Sequence, residues 1–242
     1  MHSDKAERLF AWWWWRSPNR PHVIDNTYIS LLDQLPSEAV GLDLGSRSKV
    51  RKNALTVDII PAQGVDVVAD GQALPFPNDT FDYVWCNAVL EHVPYPMKVA
   101  SEIGRILKPA GLAFIQVPFL ENIHGWPQDY YRFTLQGLRV LFNELEEIKS
   151  GVSAGPGQVL PDLIQYYSVF FAELQKGSLL PNLFCLIPGF LLLPVRLLDH
   201  LIKKRPSYWK WARAYYWVGR KPVLSDLSLK VTSKVSPSFQ SG

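Results

Sequence analysis

The chain has 242 residues, of which 48% are hydrophobic and 19% charged, with a formal net charge of +3. This is a globular composition, not a disordered one, and it is sized for one large domain or one domain plus an elaboration. So small a charge gives no case for a nucleic-acid partner, and Cys86 and Cys185 supply neither a disulfide framework nor a CxxC metal spacing, so we expect a cytoplasmic setting and no metal site.

The opening MHSDKAERLF has acids and no long apolar core, unlike a cleaved signal peptide. Residues 1–38 read as a helical or irregular aromatic extension punctuated by Pro18, Pro21 and Pro36. Within it, Trp12–Trp15 followed by Arg16 and Arg20 suits a membrane interface. Short apolar runs then predict strands at Ala39–Leu44, Leu55–Ile60, Val65–Asp70 and Phe81–Asn87. A helix is expected over Pro96–Leu107, with proline in its first turn and Val99, Ile103, Ile106 and Leu107 on one face. LKPAG ends it, and Leu112–Val117 is the fifth strand. Thr134 is placed to cap a helix reaching about Asn143. Glu144–Val152 and Tyr215–Lys221 are the sixth and seventh strands.

The domain plan is therefore an extension (1–38), a core (39–155 and 214–223), an apolar helical insertion (156–213) and a flexible tail (224–242). Only Gly45–Ala54 separates the first two strands, and only PAQG the next two. A parallel crossover needs roughly 10–12 residues or more, so the early crossover helices must be stunted or missing. The N-terminal 30 residues or the insertion would then cover that face of the sheet.

Three strands end in carboxylates: GLDLG on Asp43, LTVD on Asp58, VDVVAD on Asp70. In an open α/β sheet, ligands bind at the carboxyl ends of the strands. Gly45 lets the backbone pass close to a ligand. A strand-end carboxylate such as Asp58 can accept from both ribose hydroxyls. Asp70 could meet an adenine amino group, or it could form an Asx-type turn. The full G-x-G-x-x-G fingerprint is absent, which argues against a nicotinamide oxidoreductase.

The order DxG, acidic strand end, AD-x-x-x-LPFP-x-x-x-FD, LEHV, LKPAG resembles the class I S-adenosylmethionine-dependent methyltransferases. The resemblance is strongest to the branch with a methyltransferase type 11 domain, over roughly residues 39–118. It implies an α/β, three-layer Rossmann-like sheet, mostly parallel with the last strand antiparallel. It also implies S-adenosylmethionine as cofactor. On this resemblance Asp43, Gly45 and Ser46 lie along the methionine portion, and Asp58 with Ile59 holds the ribose. Asp70, Gly71, Gln72 and Ala73 meet the adenine edge, and Asn87 and His92 lie near the sulfonium and the methionine amine. Arg47 stands where relatives have a second glycine; it either donates to the methionine carboxylate or points outward.

A second string, HGWPQDYYRFT at 124–134, is similar to one in methyltransferase-like proteins from surface-polysaccharide and glycan gene contexts, where it borders the acceptor pocket. It implies His124 and Asp129 as catalytic groups. The alternative is a packed loop with an Asp129–Arg132 pair. The expected function is methyl transfer to a small-molecule or lipid-linked acceptor, such as a sugar hydroxyl. The alternative is a non-catalytic, membrane-associated scaffold on the same fold.

Residues 179–198 are strongly apolar but interrupted by Pro181, Asn182, Pro188, Pro194 and Arg196, which argue against an uninterrupted span. From Leu201 to Lys221 the basic residues Lys203, Lys204, Arg205, Lys210, Arg213, Arg220 and Lys221 interleave with Tyr208, Trp209, Trp211, Tyr215, Tyr216 and Trp217. That pattern fits peripheral contact with the inner face of a membrane carrying anionic lipid. A cap packed on the core and a true span are the other readings.

Overall fold

A computed structural model of the chain describes residues 30–47, 53–124, 128–174 and 193–223. The chain forms two compact units. One holds 118–122 and 151–215 of these residues, and the larger one holds the rest.

The chain contains a seven-stranded sheet, most of whose residues belong to the larger unit. Its strands are β1 (Gly41–Leu44), β2 (Ala54–Asp58), β3 (Val67–Val68), β4 (Phe81–Asn87), β5 (Leu107–Pro118), β6 (Glu146–Ala154) and β7 (Ala214–Arg220). Their spatial order is β3-β2-β1-β4-β5-β7-β6. The pairs β1–β2, β1–β4, β2–β3 and β4–β5 are parallel. Strand β7 runs the other way: Ala110 N, early in β5, donates to the O of Lys221, the residue after β7, and Lys221 N donates to Gly111 O. The expected α/β sheet, mostly parallel with an antiparallel last strand, is therefore present.

Burial explains the strands. All of β1 is buried, as are Phe81 and Tyr83–Cys86 of β4 and Leu112–Ile115 of β5. Strands covered on both faces carry continuous apolar runs, not alternating ones. The helices of this unit are the short α1 (Ser30–Asp33), α2 (Pro96–Ile106) and α3 (Leu135–Leu141). Helix α2 buries Val99, Ala100, Ile103 and Ile106 as one stripe. Thr134 caps α3 as its sequence implies, its hydroxyl accepting from Gly137 N at 3.0 Å.

Some expectations needed correction. The third strand shrinks to two residues, because it pairs only through Val57↔Val67 and Asp58↔Val68 at the sheet edge. LKPAG does not separate helix from strand: β5 runs through it from Leu107. The register jumps from Phe81↔Leu107 to Tyr83↔Leu112, so Lys108–Gly111 bulge out, with Ala110 at φ +65°. Among the described residues no helix joins β1 to β2 or β2 to β3, in line with the short spacings. The N-terminal segment proposed to cover that face, the Trp12–Trp15 run and most of the 179–198 tract lie outside the described residues.

The smaller unit contains α4 (Pro156–Leu174) and α5 (Leu193–Ile202). Buried Asp199 on α5 accepts from Gly157 N at 2.9 Å, tying the start of α4 to α5. Arg213, only 4% exposed, bridges Asp162 and Glu121 at 2.6 Å each. It is therefore not a free surface charge. Tyr215, Tyr216 and Trp217, read above as interfacial aromatics, are each 1% exposed in β7. Of that aromatic set, Trp209 and Trp211 are the exposed members. Among the described residues no helix is long and apolar enough to cross a membrane.

Candidate active site

The strand order reverses between β1 and β4, which opens a crevice beyond their carboxyl ends. A cavity of about 480 Å³ lies there. Gly45, directly after β1, has φ +78°, and a Cβ on it would meet Val89 Cγ2 at 2.2 Å. Only glycine satisfies both conditions. Its N–H donates to Val57 O at 2.7 Å, tying the turn to β2. Across the crevice, directly after β4, Ala88 takes the same unusual backbone sign at φ +53°. Both residues line the cavity.

The carboxylate of Asp58 sits at the end of β2 and is mostly buried. One oxygen accepts from Ile60 N at 2.7 Å, while the other faces Arg47 Nε at 3.4 Å. Arg47 is half exposed and lines the cavity while leaning on Asp58. Asp70 adopts the Asx-type turn: Gln72 N donates to Oδ1 at 2.9 Å, and Gln72 Nε2 reaches both carboxylate oxygens at 3.2 and 3.1 Å. The amide of Gln72 is thereby fixed, and its Oε1 is buried without a donor among the described residues. A buried acceptor left unmatched costs stability unless a ligand supplies the hydrogen bond.

The other wall comes from the 3₁₀ turn Leu90–His92 and the segment 128–132. Tyr130 N donates to Glu91 O at 2.7 Å, Tyr131 Oη to Pro94 O at 2.9 Å, and His92 Nδ1 meets Gln128 O at 2.6 Å. Asp129 takes both terminal nitrogens of Arg132 and also accepts from His124 N at 2.9 Å. Those Arg132 hydrogen bonds, ahead of all other causes, hold the Asp129 carboxyl at about 2. The Asp129–Arg132 pair offered as the structural alternative is thus present. Such a carboxylate is a weak proton acceptor near neutrality and acts by orienting its neighbours. His124 Nδ1 lies 3.6 Å from Asp129 Oδ2, and its Nε2 lies 3.8 Å from Glu91 Oε1.

Of the residues singled out from sequence, Gly45, Asp58, Ile59, Asp70, Gly71, Gln72 and His92 line the cavity. Asp43, Ser46, Ala73 and Asn87 are not among its lining residues. Asp43 precedes Leu44, which does line it, and consecutive strand residues face opposite sides. Burial, then the charges of Glu91 and Asp43, push the nearby Cys86 thiol far up, so it is no nucleophile. Sequence reasoning missed Val89, Val93 and Gln128 as lining residues, and it missed Glu91. Glu91 is fully buried within LEHV, between Leu90 and His92.

Residues 26–115 match the family model described as a methyltransferase domain. That stretch of the chain is thus similar to a methyltransferase domain. Over 57 residues it is 40% identical to an uncharacterized methyltransferase of Mycobacterium leprae (strain Br4923), covering 24% of this chain and 21% of that protein. Over 66 residues it is 39% identical to the ubiquinone/menaquinone biosynthesis C-methyltransferase UbiE of Rickettsia massiliae (strain Mtu5), covering 27% of this chain and 26% of that protein. The chain therefore aligns with about a quarter of the length of these curated relatives. The crystal structure of the cyclase SpnF aligns with a TM-score of 0.51 at 16% identity, covering 82% of each chain. At that identity the likeness shows the fold alone. Because a cyclase shares the fold, the reaction has to be argued from the site.

Proposed function

We propose that the chain is a methyltransferase that binds S-adenosylmethionine and transfers its methyl group to a small-molecule acceptor. The observation that carries this reading is the cavity at the β1–β4 crossover, where a glycine turn, the Asp58 carboxylate and the unmatched Gln72 Oε1 converge. Its volume, about 480 Å³, is within the usual ligand range of roughly 300–1,000 Å³. The residues fit the cofactor's parts. Gly45 leaves room for a chain lying against the backbone, Asp58 offers acceptors for ribose hydroxyls, and Gln72 Oε1 offers one for an exocyclic amine. Arg47 must release Asp58 for the ribose to bind there. When bound, the cofactor supplies an already activated methyl, which leaves the protein to position the reactants and exclude water. On the acceptor side we assign activation to His124, held in place by Asp129 and Arg132.

We further propose an acceptor with a hydroxyl and an apolar portion, such as a lipid-linked sugar. A second, apolar groove of about 650 Å³, lined by Tyr95, Met97, Tyr131, Phe133 and Val140, shares Pro94 with the cofactor cavity. The sugar part rests on the 124–134 string. Peripheral membrane association is a second reading, supported by the smaller unit. Leu160, Leu163 and Tyr167 are exposed along α4, as are Leu198 and Leu201 on α5 and Trp211 beyond it. Lys203, Lys204 and Arg205 are exposed beside them. Apolar side chains rimmed by cations suit anionic lipid. Flotation with phosphatidylglycerol vesicles, but not with neutral ones, is expected, and Leu201→Glu should weaken it. Flotation with neither would remove this reading.

Calorimetric titration with S-adenosylmethionine and S-adenosylhomocysteine tests the main proposal. Wild type should bind each at one site, and Asp58→Ala should bind at least tenfold more weakly. Absence of binding to wild type would sink it and leave the non-catalytic scaffold.

A further inference from the structure

We propose that Glu91, His92 and His124 form a site for one divalent transition-metal ion of the zinc or iron(II) type, on the acceptor side of the cofactor cavity. Chain segments far apart in sequence bring these groups together. The 3₁₀ turn Leu90–His92 supplies two, and His124 supplies the third. Glu91 Oε1 lies 3.7 Å from His92 Nε2 and 3.8 Å from His124 Nε2. One donor atom from each of the three residues lies within 4.8 Å of the others. A metal with bonds of about 2.0–2.2 Å holds its donors roughly 3–3.5 Å apart, so the site closes on an ion by movements of ~1 Å or less.

Hydrogen bonding around the rings has the form such sites use. His92 Nδ1 lies 2.6 Å from the carbonyl oxygen of Gln128. A carbonyl only accepts, so Nδ1 carries the proton. In the neutral ring, Nε2 then presents a lone pair toward the Glu91 carboxylate. A cation placed between Nε2 and the Glu91 carboxylate, 3.7 Å apart, would be held by both. His124 Nδ1 lies 3.5 Å from Arg132 Nη2 and 3.6 Å from the Asp129 carboxylate, the second beyond hydrogen-bond distance, so these neighbours flank the ring at its far nitrogen. An imidazole held through Nδ1 by a backbone carbonyl, as His92 is, has the usual outer shell of a metal ligand. The two rings meet edge to face at 5.2 Å and 89°.

Charge and exposure agree. Glu91 is fully buried, and a cation beside it would offset the cost of burying its charge. The ring side chains are 18% and 33% exposed, which leaves room for water or an acceptor oxygen to complete the coordination. Two imidazoles and one carboxylate select zinc, iron(II) or manganese over magnesium or calcium, which take oxygen donors. Because His92 also lines the cofactor cavity, the ion would stand next to the reacting groups. This consequence rests on the methyltransferase reading, whereas metal binding itself does not. An acceptor hydroxyl bound through oxygen would lose its O–H proton to water more readily, the electron pair staying on the oxygen. His124 would then activate the acceptor as a ligand, and not as a free base.

The test uses full-length protein stripped by a chelator and titrated with zinc chloride alone by calorimetry, with elemental analysis after dialysis. Wild type should take up one equivalent. Glu91→Gln and His124→Ala should each weaken binding at least 100-fold, while His200→Ala, an exposed histidine in the smaller unit, should leave it unchanged. Thermal melts of the metal-free variants show which are folded, and His124→Ala decides the matter if Glu91→Gln is not. No zinc uptake by wild type, or undiminished uptake by folded His124→Ala, overturns the proposal. S-adenosylmethionine titrated into the same metal-free protein separates the two ideas. Zinc uptake without cofactor binding leaves the metal site standing and removes the methyltransferase reading.

Discussion

Replacing Gly45 with alanine perturbs the cavity turn in two separable ways. At φ +78° an L side chain enters the left-handed region, which costs about 1–2 kcal/mol. The new Cβ would also lie 2.2 Å from Val89 Cγ2, and overpacking of this kind costs about 1–3 kcal/mol. The sum is a loss of roughly 2–5 kcal/mol in unfolding free energy. Both residues line the cavity, so the shift that relieves the collision also narrows the ligand space. Urea denaturation reads the stability and calorimetry reads cofactor affinity. In a Val89→Ala background the colliding methyl is gone, and the penalty of Gly45→Ala should fall to the backbone share of about 1–2 kcal/mol. Equal penalties in the two backgrounds, or a loss below about 0.5 kcal/mol in wild type, would refute this reasoning.

Acid should weaken the fold in a defined window. Arg132 holds Asp129 at about 2, and Arg139 holds Glu147 at about 2, both below the ordinary values of 3.8 and 4.5. Carboxylates depressed in the folded state stabilise it fully above pH ~4.5, and this is lost as pH falls toward 2. Shifts of this size correspond to about 2–3 kcal/mol each, with less from Glu147, whose side chain is 29% exposed. Urea midpoints between pH 7 and 3 should fall less steeply for Asp129→Asn than for wild type; identical profiles would contradict the assignment. Arg213→Ala should cost about 3–5 kcal/mol, because it strands Asp162 and Glu121 without their shared cation. Adding Asp162→Asn should recover part of that loss in the same denaturation assay. Trp217→Ala should cost about 3–5 kcal/mol through loss of a buried ring stacked 5.0 Å from Phe142. Trp217→Phe keeps the packing and loses the Glu147 hydrogen bond, for about 1 kcal/mol by thermal melting.

How legible each feature was depended on how local its cause is. Strand Phe81–Asn87 and the Thr134 cap could be read directly, because an apolar run and a hydroxyl before a helix act within a few residues. The bulge at Lys108–Gly111 was not legible, since it arises from register against β4 and not from any feature of LKPAG alone. Tyr215–Trp217 looked interfacial because an aromatic run reads the same way in a buried strand as at a membrane surface. Arg213 looked like a surface charge because its partner Glu121 is 92 positions away. At the site, Gly45, Asp58 and Gln72 were legible from strand ends. Glu91 was hidden because its significance comes from His124, which only the tertiary fold brings near it.

The most direct test of the central claim is a crystal structure of the chain with S-adenosylhomocysteine. The methyltransferase reading predicts ligand density in the cavity between Gly45 and Gln72, with the ribose on Asp58, Arg47 displaced from it, and the adenine amino group donating to Gln72 Oε1. A saturating soak that leaves this cavity empty, or places the ligand elsewhere, would contradict it.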